Sequence, residues 1–429
     1  MKVLITKILN NPRIKNSIWM ILEKVISIFG LIFVTSFVAK YIGPESFGKL
    51  SFATTLFALV QSIAIWGTDV ICSKRIAQRH DSGVKLLSAI TVLRAILFIF
   101  GCIPIVFIMY GHDNLSVIFA IAVGLATFIA VQDIYTIYND AMLKAIYNVF
   151  ANITGLVISL IVRFIIAFYK LDPVYLAIPI VLVALIPFLI KRKIFNKNVI
   201  VENTNIKINK WRYTKYIFFS GLTIVISAIS IAIYTNMTQV MLGTLSTKSD
   251  LGVYAVAFTL GSSWSFVNIA VLTSFTPKLY QSDSTYSASE TTALVSRVMI
   301  FLGFIYLIIF LIFGNYLIQF LYGDKYILAY KITPILIIAT LLSNLGQVYA
   351  RYMFLYNGFK YLMYKTIVIV VFGLILGWYL VSFWGIWGAS YNVLIIEFIS
   401  LTILNYFFNS ADILKAQKHI FGAKRVKKD

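Results

Sequence analysis

Seven ionisable residues sit inside long apolar runs of this sequence: Glu23, Lys24, Asp69, Arg94, Asp133, Arg163 and Glu397. Charges in apolar helices are costly, and they mark ion pairs, proton or ion sites, or contacts to a charged cargo. Glu397 is the hardest to account for. It lies near the middle of its run, where a carboxylate needs a cation, hydrogen bonds or a proton. Two readings stay open: a static pair with Lys24 or Arg94, or a coupling ion taken up and released. Glu23, Asp69 and Asp133 are further ion-coupling candidates. Lys24 and Arg94 lie within about a helical turn of mid-run and read as a cationic lining that holds an anion. Asp69 precedes Lys74 and Arg75 by five and six residues, so a surface pair is equally open. Arg163 is about five residues from its run's end and can snorkel to water.

Nothing here belongs to a covalent or metal site. His80, His112 and His419 are far apart in sequence and show no metal-ligand spacing, so no metal is expected. There is no Walker loop, nucleophile elbow or dinucleotide turn, and no cofactor is expected. Cys72 and Cys102 are the only cysteines, which argues against a disulfide framework. A membrane polymerase or glycosyltransferase would need a large outer loop or an acidic cluster. The connections here are short with scattered acids, so the chain does not read as an enzyme.

The elements carrying these charges are apolar helices. The 429-residue chain is 60% hydrophobic and only 12% charged, with a mean hydropathy of +0.89. Twelve runs are long enough to cross a hydrocarbon core, which takes about 20 helical residues. They fall near 17–39, 49–71, 85–109, 115–137, 146–168, 173–190, 216–241, 252–276, 293–313, 330–350, 361–381 and 385–407. When the connections are numbered alternately, 28 of the 37 Lys and Arg fall on one side and 6 on the other, with 3 inside runs. That asymmetry puts the first side, with both termini, in the cytoplasm. The net charge of +21 is therefore topological. The basic tails attract anionic membrane lipids, and no nucleic-acid binding is expected.

An internal repeat organises the chain. The stretch from Tyr41 through Gly43 and Gly48 to Ala53 matches the stretch from Met241 through Gly243 and Gly252 to Ala257. Gly48 and Gly252 lie 204 residues apart, as do Ala53 and Ala257. Arg94 shifted by the same offset falls beside Arg297, which adds Arg297 to the candidate cationic lining. Gly43 and Gly48 bracket Pro44-Glu45-Ser46 as a tight turn, and the small residues allow close helix packing. Two parallel six-helix halves follow, with the substrate path between them. The expected organisation is an N-terminal bundle at 1–190, a basic cytoplasmic linker at 191–215, a C-terminal bundle at 216–410 and a basic tail at 411–429.

Four stretches in this order resemble a known family: 39–48, Gly67-Thr68-Asp69 with Arg75-Ile76-Ala77, Met241-Leu242-Gly243 with 252–257, and 313–326. The chain resembles the O-antigen or capsule repeat-unit flippases (Wzx-type) of the multidrug/oligosaccharidyl-lipid/polysaccharide exporter superfamily. The resemblance implies an all-α integral membrane protein of the bacterial inner membrane, with twelve transmembrane helices in two six-helix bundles around a central cavity. It implies an undecaprenyl-pyrophosphate-linked oligosaccharide as cargo, moved from the cytoplasmic to the outer leaflet. A polysaccharide polymerase and a chain-length regulator are the further partners it implies. Many relatives carry an acid shortly before the Leu-Gly of span seven; here Asn236-Met237-Thr238-Gln239 stands there. The rival readings are a peptidoglycan-precursor flippase and a drug/cation antiporter of the same superfamily. Lys24 and Arg94 disfavour the latter.

Overall fold

In lipid only a helix or a closed barrel satisfies every backbone N–H and C=O, so apolar runs of this length fold as helices. A computed structural model shows this, and it describes residues 12–198, 210–282, 284–408 and 412–418. Among the described residues there is no strand. In the first part of the chain the helices are α1 (Pro12–Ile65), α2 (Thr68–Gln78), α3 (His80–Met109), α4 (Asn114–Val131), α5 (Ile134–Ala141), α6 (Ala145–Phe168) and α7 (Ala177–Asn198). Then come α8 (Lys210–Leu245), α9 (Lys248–Ser262), α10 (Ser265–Tyr280), α11 (Thr285–Leu321), α12 (Ile327–Leu355) and α13 (Phe359–Leu401). Two short helices, α14 (Ile403–Tyr406) and α15 (Asp412–Lys418), complete them.

Nine helices among the described residues are long and apolar enough to cross a membrane. Two of the twelve sequence runs meet in α1 and two in α13, because each of these helices continues through a glycine break. In α1 the break is Gly43, with φ of 76°, followed by Pro44. In α13 it is Gly385, with φ of 51° and ψ of −125°. Both are left-handed or otherwise forbidden to side chains, and glycine adopts them without a Cβ clash. The expected turn at 43–48 is therefore narrower than its sequence suggests: Gly43 alone leaves the helix, and Gly48 lies buried within it.

Contacts divide the chain into two compact units, Met1–Ala232 and Ile233–Asp429. The division falls inside α8, beyond the basic stretch 191–215, of which residues 199–209 lie outside the described residues. In the first unit α1 packs against α4 and α6, and α6 against α7. In the second, α12 packs against α9, α11 and α13. Small residues let these backbones approach where lipid supplies no hydrophobic drive between helices. A Cβ on Gly373 would lie 2.3 Å from Met237 Cε, and one on Gly377 would lie 2.8 Å from Met241 Sδ, so α8 and α13 interlock at a Gly pair one turn apart. The helices turn Phe107, Phe320 and Phe383 outward and bury Ser296, Thr333 and Asn392. Hydroxyls in these spans return a hydrogen bond to the carbonyl four residues earlier, as Ser390 does to Ile386 at 3.0 Å.

A third break shapes the first unit. Trp66 and Gly67, with φ of 52° and 65°, separate α1 from α2. A left-handed Trp is strained, and its contacts hold it there. Its indole Nε1 donates to Phe218 O at 2.9 Å, and its ring stacks on Phe218 with centroids 4.9 Å apart.

Candidate functional site

The break at Trp66–Gly67 places Thr68 and Asp69 beside α3, where they meet Arg94. The guanidinium is 1% exposed. Its Nε donates to Thr68 Oγ1 at 2.8 Å, its Nη1 to Val131 O at 2.7 Å, and its Nη2 to Asp69 and Thr68. The carboxylate is half in solvent. Asp69 therefore pairs with Arg94 and not along its own helix, where Arg75 bonds Ser82 instead. A similar pair lies just past the same C-terminal end of α4. Asp133 caps α5 through Thr136 N and accepts from Lys191, which is 3% exposed and also donates to Thr136 Oγ1 at 2.9 Å. Lys191 belongs to the basic stretch that the sequence places in a connection.

The other sequence candidates are dispersed. Arg297 lies exposed on α11. Gly243 and Gly252 are buried in α8 and α9. The side chains of Glu23 and Lys24 lie outside the described residues. Arg163 is half-buried on α6, and among the described residues no ion pair or hydrogen bond reaches it.

Glu397 is different. It is 8% exposed and faces a cavity of about 200 Å³ within the second unit. Residues of α8, α9, α10, α12 and α13 line this cavity. The Tyr234 hydroxyl of α8 donates to the carboxylate. Ser343 of α12 also hydrogen-bonds it, and Lys365 acts on it through space. Lys365 is itself buried and donates to Asn405 Oδ1 at 2.6 Å. Arg94, one of the partners that the sequence leaves open for Glu397, is committed to Asp69.

The rest of the lining is neutral and mixes polar with apolar side chains. Thr238, Ser265, Thr340, Ser343, Asn344 and Gln347 offer hydroxyls and amides, and Glu397 is the one charged residue among the described lining. Asn344 donates to Ser265 at 3.3 Å, and Asn392 donates to Thr238 at 3.3 Å. Such a cavity can hydrogen-bond a polyhydroxylated group or hold a small cation or proton at the carboxylate. It offers no nucleophile–base pair, and among the described residues no group of His, Cys, Asp and Glu could hold a metal ion.

Comparison with known proteins fits this architecture. The chain is similar to the capsular polysaccharide biosynthesis protein CapF of Staphylococcus aureus, at 22% identity over 407 residues, which cover 92% of this chain and 99% of CapF. Among solved structures it resembles an inward-facing multidrug resistance MATE family transporter of the MOP superfamily. There the TM-score is 0.67 at 13% identity, with 92% of this chain and 96% of that chain covered. It also resembles the lipid II flippase MurJ in an inward closed conformation. There the TM-score is 0.64 at 16% identity, with 95% and 91% covered. At these identities the two structures establish the fold, which is the expected all-helical exporter fold. Residues 14–278 match the family described as polysaccharide biosynthesis protein. Matched over more than half of its length, the chain belongs to the polysaccharide biosynthesis protein family.

Proposed function

We propose that the protein is a flippase for undecaprenyl-pyrophosphate-linked oligosaccharide repeat units, moving them from the cytoplasmic to the outer leaflet of the bacterial cytoplasmic membrane for O-antigen or capsule assembly. Both termini lie in the cytoplasm in this reading, as the Lys and Arg asymmetry favours. Family membership and the likeness to CapF support a role in polysaccharide export. The observation that carries the mechanism is Glu397, held by Tyr234 against a cavity that also presents hydroxyls and amides. Hydroxyls and amides suit a sugar headgroup, whose unassisted passage through hydrocarbon would be prohibitive. A carboxylate within hydrogen-bond reach of that headgroup links its binding to the uptake of a proton or cation. Glu397 is the coupling residue in this reading.

The test is transport in reconstituted vesicles. Undecaprenyl-pyrophosphate-linked repeat unit, a peptidoglycan precursor and an organic cation are offered separately, with and without an ion gradient. The repeat unit should flip fastest and respond to the gradient, and Glu397→Gln should abolish that response while cargo still binds. Preferential transport of the organic cation or of the peptidoglycan precursor would refute the cargo assignment. A gradient response that survives in Glu397→Gln would refute the coupling role.

A further inference from the structure

Resting on that reading, we infer that one face of α12 is the binding face for the cargo headgroup, with Arg351 contacting the phosphate. Thr340, Ser343, Asn344, Gln347 and Arg351 are spaced at i, i+3, i+4, i+7 and i+11, so they share one face of the helix. The first four line the cavity that holds Glu397. Arg351 continues the row one turn nearer the helix C-terminus. Helical side chains lean toward the N-terminus of their helix, which for Arg351 is the direction of Gln347.

The charges inside the spans single this residue out. Arg94 is neutralised by Asp69, Lys191 by Asp133, and Lys365 is bonded to Asn405. The Nε of Arg351 is buried, and among the described residues it has no hydrogen-bond partner. A buried guanidinium donor left in this state is costly, and an anion would satisfy it. Arg163 also lacks a partner, but its neighbours on the same face are Leu160, Ile166, Ala167 and Ser159, and the Ser159 hydroxyl is committed to Pro179 O at 2.9 Å. It therefore has no polar row to belong to.

The ligand chemistry follows from the order of groups along the row. A guanidinium presents a planar fork that matches phosphate oxygens in pairs. The hydroxyls and amides beyond it match sugar hydroxyls. Glu397, which bonds Ser343 about two helical turns before Arg351 on the row, repels phosphate, so the headgroup enters with its sugar toward Glu397 and its phosphate at Arg351. Thr340 to Arg351 spans about 16 Å of helix. The cavity of about 200 Å³ equals the space of roughly six or seven water molecules, the scale of one sugar ring.

Two phosphate sources share this chemistry, the cargo pyrophosphate and a phospholipid headgroup, and a binding experiment separates them. Purified full-length protein is titrated with undecaprenyl pyrophosphate, with the same lipid carrying the repeat unit, and with phosphatidylglycerol. Arg351→Gln should weaken both pyrophosphate lipids about tenfold, the loss of one charge-assisted hydrogen-bond pair. Arg351→Lys should recover part of this, and phosphatidylglycerol binding should stay unchanged. Gln347→Leu should weaken only the sugar-bearing lipid. Unchanged pyrophosphate affinity in Arg351→Gln, or an equal loss for phosphatidylglycerol, would overturn the inference while leaving the flippase reading intact. If the wild-type protein binds neither pyrophosphate lipid, both fall. Should Arg351→Gln fail to fold, Arg351→Lys and Gln347→Leu decide: equal affinity for the sugar-bearing and sugar-free lipids in Gln347→Leu is expected, and wild-type preference in both variants overturns it.

Discussion

The hydroxyl of Tyr234 on α8 donates a hydrogen bond to the carboxylate of Glu397 on α13, joining residues 163 positions apart at the wall of one cavity. Each group is the other's main polar partner within an apolar surrounding that includes Met237 and Ile396. Removing one side of such a bond costs the desolvation of the side left behind, about 1–3 kcal/mol. Tyr234→Phe and Glu397→Leu should each lower unfolding stability by about that amount. The double variant should cost less than their sum, a coupling that a double-mutant cycle in detergent measures. Additive losses would show that the bond does not form.

Arg94 makes a second, separable prediction. Its donors reach Thr68, Val131 and Asp69, so it ties α2 and α4 to α3. Arg94→Met should destabilise the protein by about 2–3 kcal/mol by stranding those buried acceptors. Asp69→Asn should cost less, because that carboxylate is half in water and its attraction is screened. Thermal unfolding of the two variants checks the order. If Arg94→Met unfolds normally yet flips no cargo, Arg94 acts as the phosphate contact that its place in the sequence suggests.

Glycine positions give a contrast between two helices. A Cβ on Gly221 would lie 2.5 Å from the Trp66 carbonyl oxygen and 2.6 Å from its Cδ1. The Trp66 backbone is fixed by its left-handed break, so it cannot yield easily. Gly221→Ala should therefore cost about 1–3 kcal/mol. A Cβ on Gly346 of α12 would meet nothing within 4 Å. Gly346→Ala should be neutral or stabilise by up to about 1 kcal/mol through helix propensity. Midpoints of unfolding for the pair should move in opposite directions or differ by several degrees, and equal shifts would contradict the close approach of Trp66 and Gly221.

Much of the fold is legible in the sequence because the bilayer imposes it. Run length and hydropathy give the helices, and Gly43-Pro44 marks the break in α1. Of the candidate site, Glu397 reads as special because no cation lies near it in its own run. Its partner cannot be read, since Tyr234 lies on another helix and tyrosine in a span more often anchors an interface. The Arg94–Asp69 pair is hidden by the Trp66–Gly67 break, which no span count reveals. A charge count along the chain places Lys191, Arg351 and Lys365 in connections, yet Lys191 and Lys365 are buried and Arg351 continues a polar helix face. The spacing of Thr340, Ser343, Asn344, Gln347 and Arg351 is present in the sequence. Hydropathy averages suppress it, because a narrow polar row scarcely lowers the mean of a long apolar helix.

The last prediction concerns acid. Asp113, in the connection between α3 and α4, accepts from Ser116 Oγ at 2.7 Å and from Lys49 Nζ at 3.1 Å. Lys49 also meets Glu45 at 2.9 Å, so the cluster ties the α1 break to the start of α4. Burial opposes ionisation of Asp113, but the hydrogen bonds from Ser116 and Lys49 outweigh it and hold the carboxyl below its ordinary value. A carboxyl with a lowered folded-state pKa stabilises the fold above its unfolded-state value, and that contribution disappears as pH falls through the folded-state value. The latch should therefore be complete at neutral pH and released below the usual carboxylate range. Because the Asp113 carboxylate is half in solvent, the stability change is small and local. Hydrogen exchange of the amides that open α4 reads it directly. Protection of Val117 N–H, which bonds Asp113 O at 3.2 Å, should fall on acidification in the wild type. In Asp113→Asn it should start lower and no longer respond to pH. An identical acid response in the two proteins would show that Asp113 is not the titrating latch.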